Sequence, residues 1–240
     1  SLTTVQTADI AANAIDGTLT KDALVGDYSD VTITAADLIM YGDATDSNDT
    51  KRDTVQGVLD LAGGAGLTFI SSTDISSAAT YDFTAVDASS YDGYGFFLQN
   101  IVPVTDAVHL WMRTSTDGGS SYDDGGSDYN WGLQVSGAIK YDLADGYIGI
   151  TSAYADGSTQ VGSDTNESGV SGWVWLCGPH ITKYTMVSWN VGTFAADGYV
   201  NNFTGCGVRL ENADVDACRF YFSSGNIETG TITAYGLANA

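Results

Sequence analysis

From residue 67 onward, apolar and aromatic residues come in short runs separated by clusters of Gly, Asp, Ser and Asn. That spacing is the signature of short antiparallel strands joined by turns, as in a sandwich. It predicts strands at 67–71, 80–85, 95–102, 107–115, 129–135, 147–151, 172–177, 185–193, 204–210, 219–223 and 231–237. In the fourth of these, Val108, Leu110 and Met112 alternate with His109, Trp111 and Arg113. Side chains alternate across a strand, so the first trio should face the core and the second should face away. Trp173 and Trp175 also share a face and are expected to pack together inside. Pro103 and Pro179, the two prolines of the chain, each follow a predicted strand, where a missing backbone donor does little harm.

Upstream the pattern changes. Residues 1–30 space Val5, Ile10, Ile15, Leu19 and Leu24 among Ala, Thr and Asp, in neither a heptad nor a strand alternation. So thin a stripe is buried only against copies of itself or a larger assembly. A strand is expected through Val31, Ile33 and then Leu38 to Tyr41, followed by an acidic loop. Val55, Val58, Leu59 and Leu61 then fall at helical spacing over 50–61, with Asp53 as N-cap and Gly63 and Gly64 as the stop. With 63–66 as a hinge, the expected organisation is an N-terminal segment, 1–66, and a head domain, 67–240. The fold class is mainly β: an extended N-terminal segment with a short helix, then an antiparallel, jelly-roll-like β-sandwich.

Composition narrows the functions. The 240 residues are 43% hydrophobic, enough to bury a substantial core. Eight Lys and Arg stand against thirty acids, of which Glu167, Glu211 and Glu228 alone are Glu. Asp bonds to nearby backbone and favours turns, so the acids belong to loops more than to helices. A net charge of −22 repels phosphate backbones and anionic lipid heads, which argues against nucleic-acid and membrane-surface partners. No basic and apolar leader pattern is visible, nor an apolar run long enough to span a bilayer. Cys177, Cys206 and Cys218 lack metal-site spacing and read as small buried thiols, with one disulfide as the alternative.

The opening TADIAANAIDG resembles the low-complexity repeats that begin tail-fibre proteins of tailed bacteriophages. The phrase DLIMYGDATDSNDTKRDTVQGVLDLAG is similar to a connector in such fibres, through Leu38, Ile39, Asp43, Asp46, Ser47, Asn48, Asp49, Lys51, Arg52 and the 58–61 run. RTSTDGGSSYDDGGSDYNW and the closing RFYFSSGNIETGTITAYGLA resemble the end of phage fibre heads. Together these cover about half of the chain. The resemblance implies a virion fibre or spike subunit that is homotrimeric, attached to other virion proteins through its N-terminal segment and directed at a host-surface glycan or protein.

Two constellations carry candidate chemistry. Asp117, Asp123, Asp124 and Asp128 lie with four glycines in residues 117–129, oxygen ligands enough for a calcium ion, although the spacing departs from EF-hand and nonapeptide calcium loops. The competing reading is a long acidic turn whose glycines take positive φ. Trp111, Tyr122, Tyr129 and Trp131 are the candidate ligand-binding rings, because flat rings with a polar edge suit saccharide faces and protein hot spots. A catalytic carboxylate pair needs an acid in an enclosed apolar site, and the Asp residues sit in turn phrases instead. No GxSxG elbow accompanies His109 or His180. The expected role is therefore structural and non-enzymatic, in host recognition on a virion. A capsid decoration protein and a carbohydrate-binding adhesin module are the alternatives.

Overall fold

The computed structural model describes residues 32–43, 45, 49–62, 66–87, 89–152 and 159–238. The chain divides into two compact units between Gly63 and Gly64. In the first, β1 (Leu38–Asp43) and β2 (Asp49–Thr54) form an antiparallel hairpin in the register Leu38↔Thr54 to Asp43↔Asp49, and α1 (Val55–Ala62) follows. The second half of the hairpin was expected to be helical. Lys51, Arg52 and Asp53 are drawn instead into the ladder opposite Tyr41, Met40 and Ile39. The helix consequently starts later, and its N-cap is Thr54, whose Oγ1 accepts the amide of Gly57 at 3.0 Å, while Asp53 accepts the neighbouring amide of Thr54. The expected strand residue Val31 and the stripe of residues 1–30 lie outside the described residues.

The second unit is a mainly β, antiparallel sandwich. Its strands are β3 (Leu67–Ala78), β4 (Tyr81–Phe83), β5 (Tyr91–Pro103), β6 (Leu110–Ser115), β7 (Tyr129–Val135), β8 (Ala138–Asp145), β9 (Ile148–Gly149), β10 (Val170–Cys177), β11 (Met186–Phe194), β12 (Val200–Arg209), β13 (Ala217–Phe222) and β14 (Ile227–Ala238). One sheet has eight strands in the order β3-β14-β5-β10-β11-β12-β7-β8, and the other has four, β4-β13-β6-β9. Each of the eleven expected strands overlaps an observed one. β8 was not foreseen. It returns from β7 through Ser136 (φ 49°) and Gly137 (φ 84°), two residues of positive φ that make the tight hairpin turn matching strand twist.

The core lies between the sheets. Phe96 from the large sheet meets Phe83 (5.1 Å between centroids) and Phe220 (5.4 Å) from the small one, and Phe83 also meets Tyr94. Val108, Leu110 and Met112 face this core as expected. The outer face of the large sheet follows from the register. One cross-strand row reads Leu67, Leu237, Gly93, Cys177, Met186, Val208, Asn130; the next reads Phe69, Tyr235, Gly95, Trp175, Ser188, Cys206, Gly132, Tyr141; a third reads Ser72, Thr233, Phe97, Trp173, Asn190, Thr204, Gln134, Ile139.

Trp173 and Trp175 therefore correct the expectation. They stack on each other (5.4 Å, 17° between planes), but on the outer face, because Val174 and Leu176 take the inward positions and are fully buried. Trp173 continues to Phe97 (4.9 Å) and Tyr235 (5.7 Å), and Tyr235 to Phe69 (6.1 Å). Gly95 makes room beneath: a Cβ there would lie 2.8 Å from the Trp175 ring and 3.2 Å from that of Trp173. Of the cysteines, Cys218 alone is buried; Cys177 and Cys206 are exposed on the outer face, and all three are free thiols.

Candidate functional site

The outer face of the four-stranded sheet gathers arginine, tyrosine and tryptophan. β6 sends Trp111 and Arg113 outward, and β13 does the same with Arg219 and Tyr221, since Phe220 and Phe222 take the core positions. The register sets Arg219 opposite Arg113 and Tyr221 opposite Trp111, and it sets Asp82 of β4 on the other side of Arg219. Two guanidinium groups at directly paired positions are unfavourable unless compensated. Here each has partners. Arg219 donates from Nε and Nη2 to the two oxygens of Asp82, both at 2.7 Å, and lies 4.0 Å over the ring of Tyr122. Arg113 donates to the Gly146 carbonyl at 2.8 Å, lies 5.2 Å over Tyr221, and has Asp124 at 3.9 Å.

Trp111 is stacked with Tyr147 (3.8 Å, 12°), meets Tyr221 edge-on at 5.7 Å, and donates its indole N–H to Ser152 Oγ at 2.7 Å. The hydroxyls of Tyr122 and Tyr221 are buried and have no hydrogen-bond partner among the described residues. Burial pushes the pKa of both up to about 12, with the carboxylate of Asp82 adding to the effect at Tyr122 and Arg113 opposing it at Tyr221. At neutral pH both are therefore neutral O–H groups able to donate and to accept. The Asp82 bond raises the pKa of Arg219, which stays charged. Half-exposed ion pairs and cation–π contacts contribute only about 0.5–1 kcal/mol each to stability. The cluster thus adds little stability for the number of polar side chains it fixes in place.

Of the four rings expected to touch a ligand, Trp111 and Tyr122 belong to this face. Tyr129 and Trp131 do not: they occupy inward positions of β7 and are 0% and 4% exposed. The Tyr129 hydroxyl is used internally, accepting the amide of Thr114 at 2.9 Å. Tyr147, Tyr221, Arg219 and Asp82 were missed. The alternation Arg219-Phe220-Tyr221-Phe222 carries the same signal that placed Trp111 outward on β6, and it locates two of the four.

The acidic loop does not assemble a calcium site. Asp117 accepts Ser115 Oγ (2.8 Å), Ser121 Oγ (2.6 Å) and the Ser121 amide (2.9 Å), bonds that hold its carboxyl down at about 2. Asp123 is taken by Arg209, Asp124 points toward Arg113, and Asp128 accepts the Gly125 amide at 2.6 Å. Among the described residues no three His, Cys, Asp or Glu side chains group so as to hold a metal ion. Asp117 and Asp128 hold turns while Asp123 and Asp124 face arginines, and the loop sets Tyr122 and Asp124 beside the arginine face.

His109 also serves the fold. Its ring bonds the Thr151 carbonyl at 2.8 Å, so the proton sits on Nδ1, and burial lowers its pKa. No family model, curated protein or solved structure matches the chain.

Proposed function

We propose that this chain is a structural, non-catalytic fibre or spike subunit of a tailed-bacteriophage virion. In this reading, residues 1–66 dock it in the particle, copies associate as a homotrimer, and the sandwich presents a recognition face to a host-surface saccharide. The observation that carries the recognition role is the outer face of β13 and β6. The Arg113 and Arg219 guanidinium groups, a stacked Trp111–Tyr147 pair and the rings of Tyr122 and Tyr221 lie together there. Flat rings stack on sugar faces, while guanidinium groups bond to sugar oxygens. The docking role is supported by the first unit, whose Leu38, Met40 and Tyr41 are 55%, 76% and 45% exposed. Hydrophobic residues so exposed on a small hairpin fit a segment that is covered in an assembly.

The test is binding of the full chain to an array of purified bacterial capsule and lipopolysaccharide sugars. Wild type should bind at least one of them, and Trp111→Ala should weaken that binding about tenfold or more without changing the circular dichroism spectrum. Binding to nothing on the array would favour a capsid decoration protein. Release of reducing sugar from any bound polymer would make the protein an enzyme.

A further inference from the structure

We infer that the outer face of the eight-stranded sheet is where copies of this chain meet. The inference rests on the oligomeric part of the function proposed above and is independent of what the opposite face binds. Charged residues make up 16% of the sequence and the net charge is −22, yet none of the residues in the three cross-strand rows of that face is Asp, Glu, Lys or Arg. The charged residues of β8 keep to the other side: Lys140 pairs with buried Leu133, and Asp142 with buried Trp131. What β8 presents outward is Ile139, 75% exposed, and Tyr141, 65% exposed. In the middle of the sheet Met186 is 50% exposed, and at the opposite edge Phe69 is 60% exposed.

Charge decides the occupant. Two copies of a strongly acidic chain repel each other at every surface that carries its carboxylates. They can approach without desolvating a charge only where there is none, as in these three rows; Asp74, two residues beyond Ser72 on the same face and bonded to Thr231, stands at their margin. Size agrees. Eight strands about 4.8 Å apart, crossed by three rows about 6.7 Å apart, cover roughly 750 Å², close to the roughly 800 Å² that each partner gives to a specific protein interface.

The chemistry of the face is that of an interface core with a polar margin. Aromatic rings, Met186 and Val208 run through its first two rows. In the third row, Asn190 donates to Thr204 at 2.7 Å and accepts from Asn202 at 3.3 Å. Such amides and hydroxyls can pair across a dyad or rotation axis as readily as within one copy.

The experiment uses the full chain at about 10 μM, a concentration at which an obligate interface with nanomolar affinity is saturated. Light scattering should give a discrete multiple of the 25.1 kDa chain mass. The triple variant I139D/Y141D/M186D, changed only at exposed positions, should run as a monomer with an unaltered far-ultraviolet spectrum. Ser188→Arg, a charge placed at an already polar position, should shift the mass the same way and guards against misfolding of the triple variant. Cys177 and Cys206 sit on this face, and in wild type they should react with a thiol reagent about tenfold more slowly than in the monomeric variant. Screening the repulsion with salt should tighten the wild-type assembly. A wild type that is monomeric overturns the inference; slow thiols in such a monomer would assign the face to another segment of this chain, and adsorption to neutral lipid vesicles would assign it to a lipid surface. An oligomer whose mass neither variant changes also overturns it, while leaving saccharide recognition by the opposite face untouched.

Discussion

Arg209 is the largest fully buried side chain of the sandwich, 2% exposed, and its charge depends on one carboxylate. Asp123, itself 24% exposed, accepts its Nε at 2.5 Å and also Thr114 Oγ1 at 3.3 Å. Glu211 accepts Nη2 at 2.6 Å but is 70% exposed, so water screens most of its attraction. Burial acts to lower the Arg209 pKa, and the bond and charge of Asp123 outweigh it, with a smaller contribution from Glu211. Asp123→Asn keeps the shape and one acceptor while removing the charge. Breaking a buried ion pair by deleting one partner costs about 3–5 kcal/mol, and the retained amide reduces this to roughly 2–3 kcal/mol. For a domain of this size each kcal/mol moves Tm by about 2–4 °C, so the sandwich should melt roughly 5–10 °C earlier.

The assay is urea and thermal unfolding followed by near-ultraviolet circular dichroism. Adding Arg209→Met to Asp123→Asn removes the stranded cation and should restore most of the loss, since an apolar side chain of similar length suits a buried site. Glu211→Gln should cost less than about 1 kcal/mol. An Asp123→Asn protein within about 0.5 kcal/mol of wild type would refute the reasoning, as would a double variant no more stable than the single one. Either result would mean that the guanidinium is solvated in solution, against its burial here.

Three further outcomes follow from the same geometry. Tyr81, Tyr122 and Tyr221 have pKa values pushed up to about 12 by burial, above the unfolded value of 10.0; their contribution to stability is complete below pH 10 and should be lost as pH rises from 10 to 12, with late ionisation visible at 295 nm. Asp117 runs the other way: held at about 2 by Ser121 and Ser115, below the ordinary 3.8, it supports the 117–121 turn above pH 4, and that support should fade as pH falls through 2, read by amide exchange of Ser121. Gly95→Ala should force the Trp175 ring aside, alter the near-ultraviolet spectrum of the stacked indoles, and cost about 1–2 kcal/mol.

How much was legible in the sequence depended on whether one face of a strand was apolar or both. β6 alternates Leu110 and Met112 with Trp111 and Arg113, and that contrast oriented it correctly. β7 offered Tyr129 and Trp131 at the same parity as Leu133 and Val135, so the inward reading was available; the amphipathic character of the two rings argued wrongly for exposure. The hairpin turn Ser136-Gly137 and the alternation of Ile139, Tyr141 and Leu143 together mark β8, but its apolar positions point outward, where a core-seeking pattern does not look for them. The acidic loop was legible only as a loop, because which carboxylate meets Arg209 is set by a contact between residues 86 positions apart.

β10 carries this point furthest. Its segment Trp173-Val174-Trp175-Leu176-Cys177 is apolar on both faces, a pattern that belongs to strands covered on both sides. A two-layer sandwich covers one side only. Parity could not say which set goes inward, and volume decides it: Val174 and Leu176 fit between the sheets opposite a core already filled by Phe83, Phe96 and Phe220, whereas the two indoles spread over Gly95 outside. The apolar residue left over on each strand then lies on the outer face proposed above to be covered. The same excess recurs at Met186, Val208, Ile139 and Tyr141, on three other strands of the same sheet and always on the same face.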